Sequence, residues 1–401
     1  MTRATNTPLS GINVLDLGQI YQGPYASFLM AKAGANVIKV EPPNGEPSRL
    51  RAKVGRGASL PMVMLNTNKR GITLNLKTSR GRDLFAGLVG KADVLVENYA
   101  PGVLDRLGVG WSVLHEINPR LIYASATGYG LSGPDRDNLA MDLTVQAVAG
   151  IMSVTGTPDG PPLRAGPSIC DFLGGVHLFA GVMTALYERS ITGVGRLVEV
   201  AMEEAVYPTL ASNLGLLYNT QGEIPPRVGN RHGGLALAPY NVYAALDGFV
   251  AIICVVEDHW TNLIAAMRRD DLRNDPRFMT NKLRVSNLAD TDNVVEDWTS
   301  KRTRTEIFEL TRKHRVPSAP VRDLKEVVND PHMHARGMLE WFDDPDLGRV
   351  VLPSTPIRLH GVDRVPIAAS PLLGQHNDEV YGQWLDLSAD DVARLRDEGV
   401  L

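Results

Sequence analysis

The stretch that decides the fold runs from residue 12 to residue 41. It holds an apolar strand, Ile12-Asn-Val-Leu-Asp-Leu17, a helical segment from Pro24 to Ala33, and a second strand, Asn36-Val-Ile-Lys-Val-Glu41. Two short apolar runs joined through a helix-length segment read as a βαβ unit, because parallel neighbours need a crossover of that size. The pattern continues with Gly71-Ile-Thr-Leu-Asn-Leu76, an amphipathic helix from about Ser79 to Lys91, Asp93-Val-Leu-Val-Glu-Asn98 and Leu121-Ile-Tyr-Ala-Ser-Ala126. The expected class is α/β, a mainly parallel sheet covered by helices on both faces. Such sheets bind ligands beyond the carboxyl ends of their strands, which directs the search to Gly18–Pro24, Glu41–Arg49, Asn98–Gly102 and Thr127–Pro134.

Further along come a long helix from about Asp171 to Arg189, a strand Leu197–Ala201 and a helix from Glu203 to Tyr218. The Pro/Gly stretch Gly222-Glu-Ile-Pro-Pro-Arg-Val-Gly-Asn230 then reads as a linker. Beyond it, Tyr240 to Cys254 is a hairpin turning at Asp247-Gly248, followed by helices over 258–314, so a smaller α+β domain is expected. The boundaries are 1–222 for the large domain, 223–335 for the small one and 336–401 for a C-terminal segment. In that segment Met338–Leu359 reads as extended structure, and Ser388 as the N-cap of a last helix with Leu387 packing against Val392.

Composition removes several function classes. The chain has 401 residues, 44% hydrophobic and 21% charged, with net charge -4 and pI near 6.2. That balance gives no basic field for nucleic acid. Two cysteines, Cys170 and Cys254, cannot build a disulfide framework. Met1 is followed by Thr-Arg-Ala-Thr-Asn-Thr rather than a signal-peptide core, so a cytoplasmic location is expected. Gly, Pro or charge interrupts each apolar run before a membrane span is reached, so no membrane partner is expected.

Several motifs are weaker than they look. Gly128-Tyr-Gly-Leu-Ser-Gly133 matches GxGxxG after a strand, but Pro134-Asp-Arg-Asp-Asn follows where a dinucleotide fingerprint needs a helix, so a tight loop is the better reading. The nine histidines give no metal array, and His332-Met-His334 sits in a Pro-flanked loop without a third ligand nearby. Neither a Gly-x-Ser-x-Gly elbow nor a Walker lysine occurs. Cys170 has no evident activating partner and reads as a small buried residue.

Among the acids, Asp171 heads a long apolar run, Pro167-Ser-Ile-Cys-Asp-Phe-Leu-Gly-Gly175 and onward. The residues alone favour an N-cap, since Asp accepts the unsatisfied amides of a first turn. The same place would present a carboxylate to a ligand, with Gly166, Gly174 and Gly175 leaving room for close approach. Asp142, in Ala-Met-Asp-Leu-Thr, is a second acid beside an apolar helix and reads as a cap or hydrogen-bond acceptor.

Taken in order, the motifs resemble the family III CoA-transferases, which include a racemase branch acting on 2-methylacyl-CoA thioesters. The likeness runs through Gly11-Ile-Asn-Val-Leu-Asp-Leu, Gly23-Pro24, Gly34-Ala-Asn-Val-Ile-Lys-Val-Glu, Asn68-Lys-Arg-Gly-Ile-Thr-Leu-Asn-Leu-Lys77, Val96-Glu-Asn-Tyr, Pro101-Gly-Val-Leu-Asp-Arg-Leu-Gly108, Asn118-Pro-Arg-Leu-Ile-Tyr-Ala-Ser, Gly193-Val-Gly-Arg and Asn274-Asp-Pro-Arg-Phe. The resemblance implies a large Rossmann-like domain with a smaller α+β domain, a C-terminal segment returning to the large one, and an interlocked homodimer. It implies that Asp171 is the nucleophile, forming an aspartyl-CoA thioester; Asp142 is kept beside it, from the residues alone, as a supporting acid of second rank. It implies a CoA site drawn from Ile20, Tyr21 and Gln22 after the first strand, Leu74 and Lys77 near the adenine and ribose phosphate, and Asn98, Tyr99 and Arg106. Pro42-Pro43 stands where some relatives carry Arg, so that phosphate contact is expected to be either missing or moved to Lys39 or Arg49.

The implied activity moves CoA from an acyl-CoA thioester to a free carboxylic acid, with CoA as substrate and product and no metal or permanently bound cofactor. A racemase needs an acid/base pair at the α-carbon, and its branch has a histidine where this chain has Met141, so transfer is favoured over racemisation. A catalytically silent binder of CoA esters is the remaining alternative, and Asp171 argues against it. The glycine-rich loop of oxalate-specific relatives would fall near Cys254-Val-Val-Glu-Asp-His and is absent. A larger dicarboxylate such as succinate, mesaconate or citramalate is therefore expected, with Arg164, Arg227 or Arg231 at its distal carboxylate.

Overall fold

The computed structural model describes residues 7–51, 53–54, 58–223, 225 and 227–401; Ile224 and Pro226 of the expected linker lie outside the described residues. Six strands form one sheet: β1 (Asn13–Asp16), β2 (Asn36–Glu41), β3 (Arg70–Thr73), β4 (Val94–Glu97), β5 (Ile122–Thr127) and β6 (Leu197–Ala201). Their spatial order is β3-β2-β1-β4-β5-β6, and every pairing is parallel. The order reverses between β1 and β4, the switch point beside which such sheets bind ligands.

The helices that matter for this sheet are α1 (Gln22–Lys32), α2 (Ser79–Val89), α3 (Asp142–Val148) and α4 (Ile169–Thr192). Successive strand residues feed opposite faces. Val14, Val37, Val94, Val96, Ile122 and Ala124 face Ala26 and Met30 of α1 and Leu178, Val182 and Ala185 of α4. Leu15, Ile38, Ile72, Leu95 and Tyr123 face Leu84, Phe85 and Leu88 of α2 together with the C-terminal Tyr381, Trp384, Val392 and Leu395. Burial on both faces is why these strands are apolar at consecutive positions, and each such side chain contributes roughly 1.5–3 kcal/mol.

The C-terminal segment also closes the sheet edge at β3. His376 Nδ1 accepts from Gly71 N (3.0 Å), Asn377 Oδ1 accepts from Thr73 N (2.9 Å) and the Tyr381 hydroxyl donates to Thr73 O (2.7 Å). An edge strand is thereby denied to other chains. The last helix, Ala389–Asp397, starts at Ser388 with the expected cap, here a full capping box with Asp391.

The chain divides into two compact units at other residues than the sequence suggests. One runs up to Val145 and includes Pro167–Val206 and Asp330–Leu401; the other comprises Gln146–Gly166 and Tyr207–Asn329. The helix expected over 203–218 is broken into Met202–Val206, a 3-10 turn Tyr207–Leu210 and Ala211–Asn219. Pro208, lacking an N–H, sits in the break. The second unit has a three-stranded antiparallel sheet, with Ser318–Pro320, Gly248–Ile253 and Tyr240–Ala245 in that order. Tyr243, Val250, Trp260, Phe278 and Trp298 are in its core.

The expectation that no segment reaches membrane-span length needs one correction. Among the described residues one helix, α4, has the length (24 residues) and mean hydropathy (1.6) of a span. One face of it packs on the sheet through Leu178, Val182 and Ala185, and buried Arg189 pairs with Asp93 at 2.8 Å, while Val176, Tyr187 and Ile191 are exposed.

Candidate active site

Asp171 lies in the first turn of α4, three residues after the N-cap Ser168, whose side chain makes no cap hydrogen bond. The capping carboxylate comes from elsewhere: Asp142 Oδ1, 28 residues earlier, accepts from Cys170 N at 2.8 Å and also from Asp171 N at 3.3 Å. Asp171 is therefore not the cap, and Asp142 is. The first residue of α3 serves the N-terminus of α4, satisfying amides that would otherwise be orphaned.

This arrangement sets the electrostatics of Asp171. Its side chain is only 8% exposed, and burial, followed by the charge of Asp142, pushes its pKa up to about 7. The first-turn amides of Cys170 and Asp171 donate to Asp142. Cys170, fully buried, is pushed up to about 12 by burial, Asp142 and Asp171, which leaves it a thiol.

The glycines one turn on from Asp171 serve a neighbouring helix. A Cβ on Gly174 would stand 2.6 Å from Gln22 Nε2, and one on Gly175 would stand 2.7 Å from Gln22 O and 3.2 Å from Tyr25. Expected to make room for a ligand, these two positions admit α1; Gly166 alone faces open space. Phe172 completes the contact, with Tyr25 edge-on at 4.8 Å and Tyr21 stacked at 6.0 Å between ring centroids. Gln22, buried as the first residue of α1, donates through Nε2 to Thr127 O at the end of β5 (3.4 Å).

The other expected site residues lie around the same end of the sheet. Ile20 takes a left-handed φ of +63°. Asn98 holds the backbone of Gln19 from both sides, its Oδ1 accepting from Gln19 N (2.7 Å) and its Nδ2 donating to Gln19 O (2.9 Å). Tyr99 packs half-buried on the core, and its N–H donates to Glu97 (2.8 Å), a carboxyl raised to about 7 by burial. Lys77, in the turn before α2, and Arg106, the last residue of the short helix Val103–Arg106, are exposed. Leu74 is a core residue, its N–H donating to Glu41 O at 2.7 Å.

Lys39 differs from expectation. It is fully buried and its ammonium donates to Gly18 O at 2.6 Å, while Arg49 is engaged by Glu41 at 2.6 Å. A lysine inside a strand buried on both faces needs a local acceptor, and the loop carbonyl supplies it. Lys39 has no surface position, and Arg49 is held by Glu41 and Pro371 O. In the second unit Arg231 pairs with Asp292 (2.8 Å), Arg227 donates to Gly160 O (2.6 Å) and Arg164 to Gly166 O (2.6 Å).

Residues with no sequence signal complete the site: Thr127, Phe172, Glu97 and the buried Asp16, Lys69 and Glu46 behind the loop after β1. Each lies inside a stretch read as a strand, a searched loop or a motif, but nothing there singled it out or joins it to the others. His332 and His334 occupy a short helix, Pro331–Ala335, rather than a loop, and His334 stacks on Trp341. No group of three or more His, Cys, Asp or Glu suited to a metal occurs among the described residues.

Comparison with known proteins agrees with this architecture. The chain is 37% identical to the formyl-CoA:oxalate CoA-transferase of Streptomyces avermitilis, with 100% of both covered. It is 36% identical to the succinyl-CoA–D-citramalate CoA-transferase of Chloroflexus aurantiacus, with 98% of each covered. A solved CAIB/BAIF family protein from Brucella suis superposes with a TM-score of 0.83 at 32% identity, over 95% of this chain and 100% of that one. The family profile described as CoA-transferase family III matches residues 9–377, and the chain belongs to that family.

Proposed function

We propose that this enzyme transfers CoA from an acyl-CoA thioester to a short dicarboxylate, with Asp171 as the nucleophile. The observation that carries the reading is a buried carboxyl whose pKa is raised to about 7, one turn from the point where α1 is wedged against α4. A desolvated carboxylate is a stronger nucleophile than a hydrated one, and shielding from water protects activated acyl groups.

The steps balance without a proton. A carboxylate oxygen of Asp171 attacks the thioester carbonyl, the C–S bond breaks, and CoA thiolate leaves a mixed anhydride. The thiolate attacks the aspartyl carbonyl, a C–O bond breaks, and the first acid departs as its carboxylate. The acceptor carboxylate then attacks the aspartyl-CoA thioester and the two exchanges repeat in reverse, restoring Asp171. Asp142 fixes the start of α4 and so aims the nucleophile. CoA would lie over the loops after β1 and β4, with Lys77 and Arg106 toward its phosphates.

The dicarboxylate rests on chemistry shared by the relatives, since oxalate and citramalate are both dicarboxylates. Their near-equal identity, 37% and 36%, withdraws the reason for setting oxalate aside. Methionine at position 141 cannot shuttle a proton, which disfavours racemisation. An interlocked homodimer belongs to the same reading, supported by the exposed Val176, Tyr187 and Ile191 on α4. So does a cytoplasmic location, supported by two free cysteines.

The test incubates the protein with a panel of CoA esters and acids, follows CoA exchange by mass spectrometry, and traps adducts with hydroxylamine or borohydride. An adduct on the peptide containing Asp171 is expected, and Asp171→Ala should lower turnover by at least roughly 10³- to 10⁴-fold. An adduct elsewhere, or turnover retained in Asp171→Ala, overturns the mechanism. Rapid exchange of the substrate α-proton with solvent deuterium would favour the racemase instead.

A further inference from the structure

The loop after β1 is fastened by side chains from three neighbouring segments. Gly18 N donates to Asp16 Oδ1 (2.8 Å) and Gly18 O accepts from Lys39 Nζ (2.6 Å). Gln19 is held at both its N–H and its C=O by Asn98, and Ile20 N donates to Glu46 Oε2 (3.4 Å). Ile20 stands at φ +63°, a conformation β-branched residues avoid, so the surroundings must enforce it.

Behind the loop the charges interlock. Asp16 Oδ2 accepts from Lys69 Nζ (2.8 Å) and Ser27 Oγ (2.7 Å), and Lys69 also donates to Pro24 O (3.1 Å) and Asn66 Oδ1 (2.9 Å). Asp16, Lys39, Lys69 and Glu46 are all buried. Burial pulls the Lys69 pKa down to about 8 against the pull of Asp16. Burial alone would raise Asp16, but Lys69 and Lys39 outweigh it and hold it low. Two cations and two anions removed from water are a poor way to stabilise strand ends, where apolar residues serve as well. What such a cluster does provide is a fixed geometry for the backbone it touches.

That backbone leads straight into Gln22, whose side chain and carbonyl fill the space over Gly174 and Gly175, one turn from Asp171. We infer that Lys39 is a positioning residue for acyl transfer: its ammonium, anchored on Gly18 O, sets the loop that seats Gln22 and α1 against the turn of α4 bearing Asp171. Lys39 acts through the loop and touches no phosphate. This inference rests on the proposed role of Asp171, and it assigns to Lys39 a task different from the CoA contact first expected of it.

The experiment uses the full-length chain and two variants, Lys39→Met, which removes the donor, and Lys39→Gln, which keeps a shorter neutral one. Succinyl-CoA and S-succinyl-pantetheine, which lacks the nucleotide and its phosphates, serve as donors with citramalate as acceptor. A positioning role predicts that Lys39→Met lowers kcat roughly 10- to 100-fold with KM for succinyl-CoA within about threefold. The same kcat loss should appear with the pantetheine ester, and Lys39→Gln should recover part of it. A defect confined to KM, or one that vanishes with the pantetheine ester, makes Lys39 a phosphate contact and overturns the inference. Backbone hydrogen exchange, which needs no substrate, separates this from failure of the transferase reading. In the wild type the Gly18 and Gln19 amides should exchange far more slowly than those of residues 131–137, and in either folded variant that protection should fall. Fast exchange of Gly18 and Gln19 in the wild type refutes the clamp even if neither variant folds.

Discussion

Two loops leave the same end of the sheet and solve opposite problems. After β1, residues 18–22 are fastened by Asp16, Lys39, Glu46 and Asn98, and the loop packs inward against α4 through Gln22. After β5, residues 132–139 are exposed. At its start Gly128 O accepts from Glu203 N, and further on the hydrogen bonds are local, with Gly130 N donating to Thr127 Oγ1 and Asn138 to Asp135. Both loops carry glycines and both border the candidate site, so glycine content does not set their character. The difference lies in what each backbone group bonds to: side chains buried behind the sheet in one case, neighbours in the loop in the other. A fastened loop holds reacting groups in register, while an open one tolerates change in what it meets.

The largest expected effect strikes where the fastened loop meets α4. Gly175→Ala sets a methyl group 2.7 Å from a backbone oxygen of Gln22, which no rotamer change relieves. Helix α1 must retreat from α4, with a stability loss of about 1–3 kcal/mol seen as a lower Tm. Turnover should fall at least roughly tenfold, since small displacements of reacting groups are costly. If Gly175→Ala keeps wild-type turnover and Tm, the seating of Gln22 is irrelevant and the two loops do not differ in the way argued.

Next comes pH. Asp171 must be ionised to attack, and its pKa is raised to about 7 by burial and then by Asp142. Below that value kcat/KM should fall about tenfold per pH unit, and above it level off. Asp142→Asn keeps an oxygen to accept from Cys170 N but removes the like charge, so the limb should move to lower pH. The sign for stability is the opposite of a salt-bridged acid. The folded state binds more protons than the unfolded one between the ordinary carboxyl value of 3.8 and about 7, so stability falls as pH rises through that window. A pH–rate profile unmoved in Asp142→Asn would show that another group titrates.

Much of the fold was legible because the strands are buried on both faces. Val37-Ile38 and Val94-Leu95-Val96 supply both cores at once, and only a covered parallel sheet writes that pattern into a chain. Ser388 announced its helix for a local reason, a capping box contained within four residues. The site was legible in part. Asp171 was visible as an acid ahead of an apolar helix, but the cap of that helix comes from Asp142, 29 residues before Asp171, and no local rule links them. Gly174 and Gly175 were visible as gaps, yet their occupant, Gln22, is brought by tertiary packing. Lys39 carried one unread signal: a lysine flanked by Val37-Ile38 and Val40 in a buried strand implies a buried partner.

The smallest effect is expected in the open loop, and it tests the other half of the contrast. Leu139 is 86% exposed, and Met141 and Leu143 beside it are 54% and 52% exposed, flanking the Asp142 that caps α4. Leu139 buries little and bonds to nothing that fixes Asp171, so Leu139→Ser should change stability by no more than about 0.5 kcal/mol. If this loop meets the acid rather than the CoA ester, KM for the acid should change by about two- to fivefold, since a few methylene contacts are worth no more. KM for the CoA ester and the pH limb of Asp171 should stay where they are. A uniform loss of kcat with every acid, joined to a lower Tm, would mean that the loop after β5 holds the catalytic geometry as tightly as the loop after β1, and exposure would then be a poor guide to which of the two can vary.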